Sequence, residues 1–509
     1  MPGISDNCEY FWLITARSGD TLPLDMNNNM VLEISLTRIQ AGMMLGNILY
    51  AYLKLRTQMI TTATILCVFL SLILSGFCVQ CAIADSEENT ANRLNFSEPV
   101  NLTNNPQDSV YAQVASQGKN IYIVWQENPR AQAASSDNTM NYDIFMKKSI
   151  DGGLTFGNEI NLSHNPGFSE HPQIAASDNE VYVVWIDNSP VIGSSATENK
   201  KILLRKSVDH GNTFGETSVL SGNDSVDSIN QEITATGDNV YVVWQDAPLA
   251  AADNTGIVSG SHDNGAYNNS YKSSNINDQT YGSIMFTSSD NGGESFIKPK
   301  SLSNDAYKSY PKVGGYGDSV YVVWNVGIIG ETSDINSQNG TRPSGVFFSR
   351  SSDSGINFSN SLKLNSDWES VGETQVATTG KNVYVVWGGN PDEKVAGNLY
   401  FTRSEDNGTT FSTPQSLTDK NTLNVEVAAD NKNAYIAWQG VLPDGNEEIF
   451  VKESWDAGVT FTMTNENISR NEGISECTSI AISQETKVVY LAWEDSPENN
   501  HEILLSQGA

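Results

Sequence analysis

The sequence predicts an all-β protein, a seven-bladed β-propeller whose blades each have four strands. Short, β-branched apolar runs recur at a spacing of about 60 residues over most of the chain. A glycine-containing turn motif recurs in step with them. Closing seven such units into a ring protects the sheet edges, which favours a propeller. One run per repeat ends in tryptophan, which we expect to pack between blades: Trp125, Trp185, Trp244, Trp324, Trp387, Trp438 and Trp493.

The segment before the repeats has the pattern of an export signal. Residues 1–58 contain no repeat, and Met59–Ala84 is an uncharged apolar run that ends in Ala-Ile-Ala. This is the layout of a secretory signal peptide cleaved after Ala84. We therefore predict a secreted or surface-anchored protein, with residues 1–58 as an extension that is not translated. The apolar run is also long enough to act as an uncleaved membrane anchor.

The two ends of the repeat region each carry part of one blade. After a polar linker at 85–95, Phe96–Thr103 matches Phe156–Ser163, which follows the first turn motif and forms a fourth strand. Glu502–Ser506 matches a third strand with no fourth strand after it. We therefore predict one propeller domain over 96–509, closed by an N-terminal strand that completes the C-terminal blade.

The turn motif is S-x-D-x-G-x-[TN]-F, between the third and fourth strands. Its aspartate can accept backbone N–H bonds, its glycine supplies a positive φ, and its phenylalanine can pack into the blade. Because this chemistry closes a turn, we assign these carboxylates a structural role. One copy, Ser288–Phe296, has one extra residue. The predicted turn aspartates are Asp151, Asp209, Asp290, Asp353, Asp406 and Asp456.

This motif resembles the Asp-box, or BNR, repeat, and the resemblance covers residues 96–509. Asp-box propellers include exo-sialidases, so the resemblance implies an arginine triad for the sialic carboxylate, a Tyr–Glu nucleophile pair and an aspartate acid/base. The sequence departs from that pattern because it lacks an R-I-P motif, counts seven repeats rather than six, and has few arginines. The arginines left as catalytic candidates are Arg130, Arg342 and Arg470.

Recognition is expected on one face of the ring. Strands alternate in direction, so the variable 2–3 loops and the 4–1 loops share the face opposite the turn motifs, and variable loops on a rigid scaffold commonly carry function. First strands begin at this face. We predict that five of their residues line the mouth of the central channel and bind ligand: Tyr111, His171, Asn230, Tyr310 and Glu373.

Composition limits the partners. With 60 acidic against 29 basic residues, the net charge is -31, and such a surface repels nucleic acid. Cys477 is the one cysteine of the repeat region, which excludes a disulfide within it. No motif indicates a cofactor, and the spacing of the histidines does not indicate a metal site. Asp/Asn-rich loops leave calcium binding open, although we favour solvated loops as their explanation. We expect a monomeric propeller that meets a membrane only through 59–84.

Three functions remain open from the sequence. The leading hypothesis is a non-catalytic module that binds a glycan or protein at the cell surface through the 2–3 and 4–1 loops. The alternative is an exo-sialidase-type glycoside hydrolase, and the third is a structural protein of the cell envelope. Acids that follow the tryptophan strands could form a catalytic carboxylate pair, although a repeated structural role is favoured: Glu127, Asp187, Asp246, Glu494 and Asp495.

Overall fold

The fold is a ring of seven four-stranded antiparallel sheets, built from 28 strands without a helix in the part of the chain that is described. This confirms the predicted seven-bladed propeller. A computed structural model describes residues 93–127, 142–165, 167–189, 199–222, 226–248, 282–303, 308–326, 345–365, 370–390, 397–418, 422–471, 473–496 and 500–509. The predicted extension at 1–58 and the apolar run at 59–84 lie outside these residues. Within them, no helix is long and apolar enough to cross a membrane.

The strands follow one another blade by blade after a first short strand. They are β1 (Val100–Asn101); in blade 1, β2 (Ser109–Gln117), β3 (Asn120–Glu127), β4 (Asp143–Ser149) and β5 (Ile160–Asn161); in blade 2, β6 (Ser169–Ser177), β7 (Glu180–Asp187), β8 (Lys201–Ser207) and β9 (Ser218–Val219); in blade 3, β10 (Val226–Thr236), β11 (Asn239–Pro248), β12 (Ser283–Ser289) and β13 (Lys300–Ser301); in blade 4, β14 (Lys308–Tyr316), β15 (Ser319–Val326), β16 (Gly345–Ser351) and β17 (Leu362–Lys363); in blade 5, β18 (Ser370–Thr379), β19 (Asn382–Asn390), β20 (Asn398–Ser404) and β21 (Gln415–Ser416); in blade 6, β22 (Thr422–Asp430), β23 (Asn433–Val441), β24 (Glu447–Ser454) and β25 (Glu466–Asn467); and in blade 7, β26 (Ile474–Ile482), β27 (Val489–Ser496) and β28 (Glu502–Gly508).

The ring is closed by the N-terminal strand, as predicted. β1 pairs antiparallel with β28, with Val100 opposite Leu505, and so supplies the fourth strand of blade 7. The Leu102 N–H donates to the Ile503 carbonyl at 2.8 Å. The Thr103 hydroxyl donates to the buried Glu502 carboxylate. Strand pairing therefore joins the two ends of the domain and leaves no blade incomplete.

The core consists of seven apolar clusters, one at each junction between neighbouring blades. Each cluster contains a buried tyrosine from one blade and the repeat tryptophan of the next, and every one of these tryptophans is at most 2% exposed. The tryptophans therefore pack between blades, as predicted. The pairs are Tyr490/Trp125, Tyr122/Trp185, Tyr182/Trp244, Tyr241/Trp324, Tyr321/Trp387, Tyr384/Trp438 and Tyr435/Trp493.

Acids two residues after the tryptophans tie strands together. In blade 1, Glu127 accepts hydrogen bonds from the Trp125 indole at 3.1 Å and from the Ser109 hydroxyl at 2.8 Å. Asp187 and Asp246 make the equivalent bonds in blades 2 and 3, and Asp495 accepts from Ser475 in blade 7. A buried indole N–H needs an acceptor, which Glu127, Asp187 and Asp246 supply. All four carboxylates also join the first strand of their blade to the second, so a structural role accounts for them.

The turns of the S-x-D-x-G motif, here named Asp turns, are closed by their own side chains. Asp151 accepts from the Ser149 hydroxyl at 2.7 Å and from the Thr155 hydroxyl and N–H at 2.6 and 2.9 Å. The hydrogen bonds from Thr155 and then Ser149 lower the pKa of Asp151 to about 2. Equivalent bonds hold Asp209, Asp353, Asp406 and Asp456.

In blade 3 the turn residue is Asn291 rather than Asp290. The Asn291 side-chain oxygen accepts from the Ser289 hydroxyl at 2.7 Å and from the Ser295 N–H at 3.1 Å. Counted from Ser289, the copy has the standard length, so the extra residue in the prediction came from starting it at Ser288. An amide oxygen replaces the carboxylate because the turn needs an acceptor and does not need a charge.

A histidine at the junction of blades 7 and 1 predicts a pH-dependent stability. The His501 ring lies 3.3 Å from Asp108 and 3.5 Å from Glu476, and its hydrogen bonds to these carboxylates raise its pKa to about 10 against the opposing effect of burial. This stabilisation is complete below the unfolded pKa of about 6.5 and is lost as pH rises through 10. Because Asp108 is 45% exposed, we expect a stabilisation of only about 1 kcal/mol.

The measurement is urea unfolding of the His501→Asn variant at pH 6 and pH 9. The variant should be less stable than wild type at pH 6, and the difference should shrink at pH 9. His164→Asn is the matched control, because His164 is an exposed turn residue with a positive φ of 42°. A difference for His501→Asn that stays the same at both pH values would contradict the ion pair.

Candidate functional site

Each first strand carries a β-bulge near its start, at the 4–1 loop face. One extra residue interrupts the pairing with the second strand in all seven blades. Bulges re-aim side chains and are frequent beside functional sites. In six blades the bulged residue has a left-handed backbone: Tyr111 (φ 56°), His171 (51°), Asn230 (54°), Tyr310 (52°), Asn424 (45°) and Cys477 (51°). In blade 5 the bulge comprises Gly372 and Glu373.

The five predicted mouth residues border one cavity. Its volume is about 180 Å³, and it is lined by all of Tyr111, His171, Asn230, Tyr310 and Glu373. At about 30 Å³ of liquid volume per water molecule, this is room for roughly six waters, about the space of one sugar residue. The structure therefore brings these side chains together, while their role in binding stays a prediction.

Sequence reasoning missed the equivalent residues of blades 6 and 7, Asn424 and Cys477, which also line the cavity. A usable signal was present, because six of the seven bulge residues lie fourteen positions before the tryptophan of their blade. Cys477 lies sixteen positions before Trp493, since blade 7 has a longer turn between its first two strands. Counting back from each tryptophan would have found Asn424, and allowing for this turn would have found Cys477.

The bulges are held by side chains of the preceding blade. The His171 N–H donates to the Gln126 side chain at 2.6 Å, and the Tyr111 N–H donates to the Glu494 carboxylate. Both acceptors directly follow a repeat tryptophan. Burial, reinforced by the charge of Glu476, raises the pKa of Glu494 to about 8 against the Tyr111 bond. The residues after Trp125 and Trp493 thus help to shape the cavity wall.

One side of the cavity, at blades 1 and 2, combines rings with an ion pair. The rings of Tyr111 and His171 lie 4.3 Å apart between centroids. Lys200 donates to Glu170 at 3.0 Å, and Glu170 also lies 3.9 Å from the His171 ring. The Gln231 amide nitrogen donates to the His171 carbonyl. This side of the wall is therefore fixed by contacts between neighbouring blades.

A second ring of polar side chains, here named the inner ring, lies deeper in the channel. Each blade contributes one member, two positions after its mouth residue on the first strand. Each member pairs opposite the residue that precedes a tryptophan, and each lines this cavity or the one behind it. The sequence analysis did not identify these residues. The seven members are Gln113, Gln173, Glu232, Lys312, Gln375, Glu426 and Ser479.

An ammonium group and three carboxylates interact in the inner ring and beside it. Lys312 donates to Glu232 at 2.9 Å, and the Gln375 amide donates to both oxygens of Glu426 at 2.9 Å. Burial would lower the pKa of Lys312, but Glu232 and Glu426 outweigh it and hold that pKa above its usual value. Burial raises the pKa of Glu426 to about 8 and also raises that of Glu373, with Lys312 opposing both shifts.

The candidate arginines do not converge on this cavity in the part of the chain that is described. Arg470 is an exposed residue that donates to the Asn467 carbonyl at 2.7 Å and to Glu466 at 3.2 Å. Arg130 and Arg342 lie outside the described residues. The cavity wall, as far as it is described, contains lysine but no arginine. Over the same ranges no group of His, Cys, Asp and Glu side chains is arranged to hold a metal ion. The expectation of no cofactor, with calcium left open, stays untested.

Comparisons with known proteins find solved structures that resemble this one at low sequence identity. No protein-family model matches the sequence, and no curated protein does. A protein of unknown function from Dyadobacter fermentans is similar, with 12% identity, a TM-score of 0.47, and coverage of 82% of this chain and 98% of that one. The NanB sialidase from Streptococcus pneumoniae has 10% identity, a TM-score of 0.43, and coverage of 82% and 92%.

Trypanosoma rangeli sialidase is also similar, with 10% identity and a TM-score of 0.43, where the match covers 82% of this chain but only 57% of the sialidase. These likenesses are too distant to assign a family or an activity. The seven-bladed architecture therefore rests on the strand pairing of the chain itself.

Proposed function

We propose that the chain is an exported recognition module that binds a glycan or a protein through the cavity at the 2–3 and 4–1 loop face, without catalysing a reaction. The observation that carries this proposal is the convergence of one bulged first-strand side chain from every blade on a single cavity. A rigid scaffold that directs several polar and aromatic side chains at one concave space is the usual form of a ligand site.

The wall chemistry supports a hydroxyl-rich ligand. Tyr111 and Tyr310 supply ring faces, which suit the apolar faces of sugars. Asn230, Gln173 and Asn424 supply amides that can both donate and accept hydrogen bonds. The cavity also has room for a group of about one sugar residue. We therefore favour a glycan over a flat protein surface as the ligand that enters the cavity.

A glycoside hydrolase is the second candidate, and one observation favours it. Glu426 and Glu494 have pKa values raised to about 8 by burial, and a carboxylic acid that keeps its proton at neutral pH can act as a general acid. Against a sialidase stands the lack of an arginine among the described wall residues, since bidentate arginine is the suitable group for a sialic carboxylate. Binding without catalysis therefore remains our leading proposal.

The test is a glycan array followed by calorimetry on the full chain and its Tyr310→Asn variant. Asparagine already occupies this position in blades 3 and 6 and tolerates the positive φ, so the fold should persist. Loss of the ring face should weaken binding about tenfold. Tyr316→Asn is the control, because Tyr316 is 52% exposed at the other end of β14.

Hydrolysis of a fluorogenic sialoside distinguishes the two candidates. We expect no turnover by the full chain. Turnover that is abolished by Arg342→Ala or Arg470→Ala would instead establish the hydrolase. Equal glycan affinity of wild type and Tyr310→Asn would count against the cavity as the binding site.

A further inference from the structure

The two lysines of the cavity wall are each paired with a carboxylate. Lys200 is paired with Glu170 and Lys312 with Glu232, at 3.0 and 2.9 Å. Glu373 and Glu426 add two further carboxylates to the wall. Glu170 and Glu232 thus neutralise the two lysines and leave Glu373 and Glu426 as the acids of the wall, so the wall disfavours an anionic ligand and favours a cationic one.

Lys312 shows that the wall can hold an ammonium group. Its side chain is 22% exposed and its ammonium contacts Glu232. The charges of Glu426 and Glu373 also act on it and favour its protonated form. Glu373 belongs to the mouth and Glu426 to the inner ring, so the carboxylates extend from the ammonium of Lys312 towards the opening. A second ammonium that enters from the mouth would meet Glu373 first.

The side-chain oxygen of Gln231 is a hydrogen-bond acceptor without a donor in the described part of the chain, and this observation does not depend on the carboxylates of the wall. Gln231 is 4% exposed and lines the cavity. Its amide nitrogen donates to the His171 carbonyl, and because a carbonyl can only accept, this bond fixes the orientation of the amide. The Gln231 side-chain oxygen then has no hydrogen-bond partner among the described residues. Buried acceptors are normally satisfied, so a ligand rich in N–H and O–H donors suits this wall.

We propose, building on the proposed function, that the ligand is a sugar that carries a free, protonated amino group. Its ring would pack against Tyr111 or Tyr310, and its hydroxyls would bond to the amides of the wall. Its ammonium would bind between Glu373 and Glu426, where its positive charge would favour the ionised form of both carboxyl groups. Tyrosine faces also attract cations. An N-acetylated sugar has the same ring and hydroxyls but no charge, so the amino group is the discriminating feature.

Calorimetry at pH 7 on the full chain tests this ligand class with two probes. These are an oligomer of glucosamine and the N-acetylated oligomer of the same length. We expect the glucosamine oligomer to bind about tenfold more tightly. Glu373→Gln and Glu426→Gln should each weaken that binding about fivefold or more, and should leave the weak binding of the acetylated oligomer unchanged. Two independent variants keep the test decisive if one of them folds poorly.

The matched control is Glu485→Gln, which removes the same charge from an exposed turn between β26 and β27. It separates binding in the cavity from general attraction of a cation to a chain of net charge -31. Equal affinities for the two oligomers, or an equal loss in Glu485→Gln, would overturn the amino-sugar inference. If the acetylated oligomer binds tightly and Tyr310→Asn weakens it, the inference fails and the proposed function stands. If neither oligomer nor any arrayed glycan binds, glycan recognition fails as well.

Discussion

Replacing Lys312 with methionine should lower the free energy of unfolding by about 3 kcal/mol at pH 7. Methionine keeps the length of the side chain but removes the ammonium that offsets Glu232, Glu373 and Glu426. Breaking a buried pair leaves its partner charge uncompensated, which costs more than the intact pair contributed. Urea unfolding of wild type and variant measures the difference.

The pH dependence identifies the cause of this loss. Without Lys312 the pKa values of the three carboxyls should rise further. A carboxyl with a raised folded pKa destabilises the protein above that pKa, and the cost disappears below the unfolded value of about 4.3. The gap between variant and wild type should therefore narrow from pH 7 to pH 5. Lys381→Met, at an exposed turn, should change stability little, and a Lys312→Met loss that is independent of pH would refute the electrostatic explanation.

The blade count and the ring closure were predictable because each blade repeats the same physical solution. The buried tryptophan between blades and the self-bonded Asp turn are local requirements, so their sequence signals recur in register. Asn291 shows the limit of this reasoning, since the turn accepts any suitable oxygen and the motif letter can change. The prediction of Asp290 as the turn residue was wrong because the motif was defined with a carboxylate, whereas the turn uses the amide oxygen of Asn291.

The inner ring was not predictable because it depends on strand register. Lys312 and Glu232 are 80 positions apart in sequence, and neither belongs to a repeated motif. They meet because each is the inner-ring residue of its blade: Glu232 pairs opposite Val243 in blade 3, and Lys312 pairs opposite Val323 in blade 4. Six of the seven mouth residues can be found from the sequence because each lies fourteen positions before the tryptophan of its blade. The residue type at the mouth and inner-ring positions differs from blade to blade. This is expected where a constant scaffold carries a variable binding site.

Replacing Gly355 with alanine should destabilise the protein by about 2–4 kcal/mol, through two separate costs. Gly355 lies in the Asp turn of blade 4 and has a φ of 84°, which is unfavourable for alanine. A Cβ at this position would also overlap the buried ring of Phe286 in blade 3. That ring is held in turn by an edge contact with Phe358, with 5.0 Å between the centroids, so it has little freedom to move away.

The Gly317→Ala variant measures the cost of the positive φ by itself. Gly317 has a φ of 56°, but no atom lies within 4 Å of the place that an alanine Cβ would occupy, so we expect only the backbone penalty of about 1–2 kcal/mol. The excess loss in Gly355→Ala, measured by urea unfolding, then reports the contact between turn and neighbouring blade. Equal losses would mean that the positive φ alone requires the glycine. An excess would show that the Asp turn, besides ending its own hairpin, contributes to the packing between adjacent blades.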